Sequence, residues 1–110
     1  MDKLPGDSVA GVFAALGDAT RLKLIAVLCA GGAFSITQLT ANTDISRQAV
    51  TKHLQTLAEA GVVRDVKHGR ERLWHIELAR IEEARQSLDA IAQSWEQALG
   101  RLKAFAESTP

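Results

Sequence analysis

Asp44-Ile45-Ser46-Arg47-Gln48-Ala49-Val50-Thr51-Lys52-His53-Leu54-Gln55-Thr56-Leu57 is the stretch whose reading decides the fold. Ser46 is a helix N-cap, and the helix it opens runs to about residue 60. Val50, Leu54, Leu57 and Ala58 fall on one face, while the opposite face is polar and partly basic. Gly61 is a left-handed stop. Gly61-Val62-Val63 and His68-Gly69-Arg70 come directly behind it and read as a short β-hairpin with a basic tip. A polar helix of this kind suits the major groove of a duplex, and a basic finger suits the neighbouring phosphates.

Upstream, Ser35-Ile36-Thr37-Gln38 is a capping box that opens a very short helix through residue 41. Asn42-Thr43-Asp44 supplies turn chemistry. Two short helices joined by a tight polar turn predict a helix-turn-helix. Before it, Asp18 caps a helix in which Leu22, Leu24, Ile25, Val27, Leu28 and Cys29 read as largely buried, and Ala30-Gly31-Gly32 ends it. A first short helix, capped by Asp7 or Ser8, carries Val9, Val12, Phe13 and Leu16 at helical spacing and stops at Gly17.

Downstream, residues 62–67 and 72–76 are β-rich runs around the loop His68-Gly69-Arg70-Glu71. From about 78 to 107 the pattern is helical. Ile81, Ala84, Leu88, Ile91, Trp95, Ala98, Leu102 and Phe105 recur at spacings of three and four, a seam that calls for a partner helix. The domain is too small to cover all of it, so its exposed part is expected to be a dimer face. Gly100 interrupts the helix at a cost of roughly 1 kcal/mol against Ala and marks a kink or a close helix crossing.

The bulk properties set the limits. A chain of 110 residues is one domain with a small core, and 46% hydrophobic with 24% charged residues argues against disorder. Net charge is zero, with 13 basic and 13 acidic residues, which is not the global signature of a nucleic-acid binder. The distribution is uneven. Between 46 and 72, Arg47, Lys52, Arg64, Lys67, Arg70 and Arg72 outnumber Glu59, Asp65 and Glu71 by three, with His53 and His68 among them. A local basic stripe suffices to steer phosphates. The single cysteine, Cys29, excludes an internal disulfide. Without a signal-peptide pattern or an apolar run of membrane-spanning length, a cytoplasmic protein with no membrane partner is expected.

Together these stretches resemble the ArsR-type winged helix-turn-helix transcriptional repressors, from about residue 13 to 105. The carriers are Leu16-Gly17-Asp18-Ala19-Thr20-Arg21-Leu22, Ser46 to Leu54, Leu57-Ala58-Glu59-Ala60-Gly61-Val62-Val63 and Gly69-Arg70-Glu71-Arg72-Leu73-Trp74. The tail, with Trp95, Leu99, Arg101-Leu102-Lys103 and Phe105, resembles a branch that lacks the metal-sensing residues. The resemblance implies a mainly α fold with a small β-hairpin, as a single domain over 1–110 with a DNA-binding core at 7–77 and a dimerisation helix at 78–107. It also implies a homodimer joined through the first and last helices, here Val9, Val12 and Phe13 with Leu88, Ile91, Trp95, Leu99, Leu102 and Phe105.

The expected interface with double-stranded DNA is then residue-specific. Gln48 and Thr51, with Gln55 beside them, suit base edges; Arg47 suits guanine or a phosphate; Ser46 and Lys52 suit phosphates. Lys67, His68, Arg70 and Arg72 cluster about the wing turn, with Arg70 at the tip, suited either to a minor groove or to the flanking backbone. The alternative for both elements is an ordinary solvated surface. Trp74 reads as packing. Arg21 is either a phosphate or intersubunit contact, as the family pattern implies, or a salt-bridge partner of Asp18. His53 is structural or a phosphate contact.

Metal sensing is where the chain departs from the family. There is no paired cysteine at 35–41 and no histidine at 78–110, and one Cys with three scattered His cannot build a tetrahedral site within one subunit. Cys29 is expected in the core. No cofactor and no enzymatic motif is expected: the chain has no phosphate-binding Gly-rich loop and no nucleophile elbow. The expectation is a homodimeric DNA-binding repressor on an inverted repeat. The rival is a winged-helix protein–protein module without DNA binding. Release by a small apolar effector seated near Phe13, Trp95 and Phe105 and constitutive repression without an effector are equally consistent with the sequence.

Overall fold

The computed structural model describes residues 8–108 and runs α1 (Val9–Leu16), α2 (Ala19–Gly31), α3 (Ile36–Ala41), α4 (Arg47–Glu59), β1 (Val63–His68), β2 (Glu71–Ile76) and α5 (Leu78–Ser108). Each of the first four helices starts on a polar side chain that accepts a backbone N–H. Ser8 Oγ accepts from Gly11 at 2.9 Å, Asp18 Oδ2 from Arg21 at 3.0 Å and Ser46 Oγ from Ala49 at 3.1 Å. Asp7, the other expected cap of α1, lies outside the described residues. At α3 the capping box is reciprocal: Ser35 Oγ accepts from Gln38 N at 3.1 Å and Gln38 Oε1 from Ser35 N at 2.9 Å. A helix of only 6 residues needs such caps, since its nucleus is otherwise unfavourable.

The core forms where the inner faces of these helices converge on α4. Val50, Leu54 and Leu57 are fully buried, and they meet Val12, Leu24, Leu28, Leu39, Val62 and Val63. Two expectations fail on α2. Leu22 is 51% exposed and Cys29 is exposed. Leu24 and Leu28 already define the inward face, and at about 100° per residue Leu22 lies on the far side of the helix. Val12 is a third correction. It was expected at the dimer face, but it is 0% exposed inside the subunit, so only the half-buried Val9 and Phe13 of α1 remain available to a partner.

The hairpin pairs from Val63↔Ile76 to His68↔Glu71, so the connection is the two residues Gly69-Arg70 rather than the four-residue loop expected. Gly69 has φ of +64° and Arg70 does not have positive φ, the combination of a type II′ turn. The wing is also tied to the helical core. Phe34 and Trp74 exchange backbone hydrogen bonds of 3.0 and 2.8 Å, and Trp74 packs into the core, as expected. Its indole N–H finds no acceptor, a cost of roughly 1–3 kcal/mol.

α5 is 31 residues long, about 46 Å. It packs along α1 through its first turns, where Ile81 is half-buried and Ala84 buried. From Leu88 onward only Ala98 is partly covered, and Leu88, Ile91, Trp95, Leu99, Leu102 and Phe105 stand exposed. The radius of gyration, 19.0 Å, exceeds the ~13 Å of a compact chain this long because the helix projects from the core. Gly100 lies in unbroken helix, and a Cβ there would meet nothing.

Arg21 does not make the salt bridge with Asp18 that the sequence offers as one of its roles. Its Nε donates to the Ala15 carbonyl and its Nη2 to the Ala14 carbonyl, and Nη1 lies 3.5 Å from His53 Nδ1. The guanidinium therefore closes the C-terminal end of α1, where orphan carbonyls favour a cation. No Asp18–Arg21 ion pair forms; Asp18 takes the Arg21 backbone N–H instead. That hydrogen bond, outweighing the desolvation that opposes it, holds the Asp18 carboxyl below its ordinary value of 3.8.

Arg21→Lys, which cannot span these carbonyls with a planar fork, is expected to lose roughly 1 kcal/mol in urea unfolding. A carboxyl whose folded pKa is lowered adds stability above its unfolded value and loses it as pH falls through the folded one. Asp18→Asn, a neutral cap, should therefore show a flatter loss of stability than wild type below about pH 4 in acid unfolding. Gly61 has φ of +78°, and a Cβ there would sit 2.7 Å from Arg80 Nε. Gly61→Ala should cost ~1–2 kcal/mol. Gly69→Asn, at an open turn, should cost clearly less in the same measurement.

Candidate nucleic-acid interface

The amphipathic character of α4 sets the site. Its buried face fixes the helix against the core and turns Arg47, Gln48, Lys52 and Gln55 to solvent, with Thr51 half-buried among them. These five residues line one shallow groove along the helix. Among the described residues, the side chains of Gln48, Lys52 and Gln55 make no hydrogen bond or ion pair, so their polar ends stay available. Gln48 carries the donor and acceptor that match adenine N7 and N6.

Other hydroxyls and charges are already engaged, which narrows what they can do. Thr51 Oγ1 donates to the Arg47 carbonyl at 3.0 Å. It keeps its methyl group for a thymine methyl and its lone pairs for a base amino group. Ser46 Oγ accepts the cap bond and keeps its own O–H to donate. Arg47 Nη1 donates to Thr37 Oγ1 at 2.9 Å and so turns back towards α3.

On the wing, Lys67, His68, Arg70 and Arg72 are all exposed. Arg72 Nε meets Asp65 Oδ2 at 2.8 Å, so part of the basic stripe is neutralised within the hairpin. Arg64 pairs in the same way with Glu77 at 2.9 Å. Exposed pairs of this kind are worth at most about 1 kcal/mol and exchange readily for a phosphate. Arg70 at the turn, Lys67 and His68 have no such partner among the described residues.

The fold brings the start of α4 and the wing together. Ser35, Ile36, Thr37, Arg47, Arg70, Glu71 and Arg72 line one cleft of about 230 Å³ between α3, α4 and the hairpin turn. Arg21 and His53 line neither this cleft nor the groove along α4; they face one another beside the end of α1. Thr37 was not singled out from the sequence. Nothing in its local pattern marks it, because its importance comes from a side chain ten positions away.

Among the described residues no cluster of three or more His, Cys, Asp or Glu side chains could hold a metal ion. Among the described residues, likewise, no helix is long and apolar enough to cross a membrane.

A helix-turn-helix domain family matches residues 16–66. The chain is similar to an ArsR-like transcriptional regulator from Rhodococcus sp. RHA1, with 36% identity over 92% of this chain and 94% of that one, and a TM-score of 0.82. It is 26% identical over 85 residues to an uncharacterised HTH-type transcriptional regulator, MJ1325, of Methanocaldococcus jannaschii, covering 77% of this chain and 96% of that protein. It shares its fold with the homodimeric winged helix-turn-helix DNA-binding domain Mb0332 of Mycobacterium bovis, at 22% identity, 77% and 78% coverage and a TM-score of 0.62. A wing tied to a capped helix-turn-helix, and 36% identity across nearly the whole length of the Rhodococcus regulator, lead to one conclusion: the chain belongs to the family of ArsR-like transcriptional regulators.

Proposed function

We propose that this chain acts as a homodimeric, sequence-specific DNA-binding repressor. Each protomer lays α4 in the major groove of one half of an inverted repeat and its wing on the flanking backbone. The observation that carries the reading is the outward face of α4. Among the described residues, Gln48, Lys52 and Gln55 are unpaired on a helix whose other face is locked in the core, and Arg70 of the wing borders one cleft with Arg47 at the start of that helix. Gln48 and Thr51 supply base readout; Lys52, Arg70, Lys67 and Ser46 supply phosphate contacts.

The dimer rests on α5. Leu88, Ile91, Trp95, Leu99, Leu102 and Phe105 form an exposed apolar seam, with Trp95 63% and Phe105 72% exposed, more than a stable monomer leaves in water. The homodimeric state of the Mycobacterium bovis domain supports the same arrangement. Two copies must then present their α4 helices about 34 Å apart, one turn of duplex. Regulation works through binding and involves no metal held by residues of a single subunit. A small apolar effector beside Phe13, Trp95 and Phe105 would act by reshaping the paired helices.

The second reading, a protein–protein module, is favoured by the Arg72–Asp65 pair and the zero net charge. Lys52, Lys67 and Arg70, unpaired among the described residues, weigh against it, since a surface that had lost DNA binding would not need them.

Titration of promoter fragments over a salt series tests the proposal. Lys52→Ala and Arg70→Ala should each weaken binding to every sequence and lower the salt slope by about two per dimer, one phosphate per protomer. Gln48→Ala should instead change which base pairs are preferred. Failure to bind any genomic fragment in a salt-sensitive way would refute DNA binding. Trp95→Glu should shift the protein from dimer to monomer in sedimentation and weaken operator binding; a wild type that is monomeric at micromolar concentration would remove the dimer.

A further inference from the structure

We propose that the cleft between α3 and the wing is a clamp for one phosphodiester of the DNA backbone, and that Thr37 is the positioning residue that swings Arg47 into it. This deepens the DNA-binding reading above and rests on it. Arg47 at the first position of α4 has two courses open to it: along the groove face towards base edges, or back towards α3. The structure takes the second, with Nη1 donating to Thr37 Oγ1 at 2.9 Å. One of five guanidinium N–H donors is used, and four remain for an anion. The Thr37 hydroxyl accepts that bond and keeps its own proton to donate.

The cleft is electrostatically unfinished. Arg47, Arg70 and Arg72 line it together, against the single carboxylate of Glu71. Asp65 offsets Arg72 from the hairpin side, but the register also sets Arg72 directly opposite Lys67. Like charges facing each other across a pair of strands are unfavourable. A phosphate relieves this repulsion and matches the planar fork of a guanidinium. The phosphate belongs to duplex DNA because Arg47 lines both the cleft and the groove along α4, so a strand followed from the base-reading face passes over the cleft. The consequence for specificity is direct: Arg47 contributes affinity and register, and base choice falls to Gln48, Thr51 and Gln55.

The test uses the full-length protein with an operator duplex obtained by selection, and a set of duplexes carrying one neutral methylphosphonate at each backbone position in turn. Arg47→Ala should lower affinity roughly tenfold and the salt slope by about two per dimer, with base preference unchanged. Thr37→Val should lower affinity about threefold, and Thr37→Ser should restore it. One methylphosphonate position per half-site should weaken wild type yet leave Arg47→Ala unaffected. The proposal is overturned if Arg47→Ala relaxes preference at a base pair, or if no methylphosphonate position couples to Arg47. It is also overturned if inorganic phosphate occupies the cleft of wild type but not of Arg47→Ala while methylphosphonates have no effect. Thermal melts identify a variant that fails to fold, and Arg47→Ala, on the surface, carries the test if Thr37→Val is lost. Wild type that binds no duplex at all would instead bring down the DNA-binding reading, and this clamp with it.

Discussion

Burial of Val50, Leu54 and Leu57 against the helical core is the constraint on which the rest of the structure depends. Each fully buried aliphatic side chain contributes roughly 1.5–3 kcal/mol, and three of them lie on one face of a 13-residue helix. That face leaves α4 no rotational freedom. Gln48, Lys52 and Gln55 point outward because the helix cannot turn them in without exposing the three core residues. The precision of the candidate interface is therefore a property of packing on the hidden side.

The wing is held by a different kind of bond. A two-stranded hairpin is marginal by itself in water. Here its base is anchored by the buried Val63 and Trp74, and by the backbone exchange between Phe34 and Trp74 just before the Ser35 cap. The segment that starts α3 and the strand that supports the wing thus share one set of hydrogen bonds. This explains how a side chain on α3 and one at the hairpin turn come to border the same cleft. Arg21 and His53 perform a comparable task at the far side, closing the end of α1 against α4.

α5 shows what a chain of 110 residues cannot finish alone. A small domain buries a limited share of its surface. Covering the whole apolar seam of a 31-residue helix would take more protein than α1 provides. The buried Ala84 marks where α5 leaves the subunit's core. Beyond it the pattern continues in the sequence, and its large apolar side chains from Leu88 to Phe105 stand exposed among the described residues.

Much of this was legible in one dimension, because caps, helical periodicity and turn glycines act over a few residues. The Ser35–Gln38 box, the Ser46 cap, the stops at Gly32 and Gly61 and the seam of α5 all follow from local spacing. The misplaced apolar residues share one cause. Leu22, Cys29 and Val12 were assigned by their apolar character, but which side of a helix is buried is settled by the elements packed on it. Charges behaved likewise: Arg21 and Arg47 are legible as cations, and their partners Ala15 and Thr37 are not, whereas the Arg72–Asp65 pair across the hairpin could be named from the sequence. By itself the sequence determined the order of helices and strands and a polar α4 face, since these depend on short-range hydrogen bonds and periodicity. Only the tertiary structure decided where each cation points and which apolar residues remain for a partner, since both depend on groups brought together from distant parts of the chain.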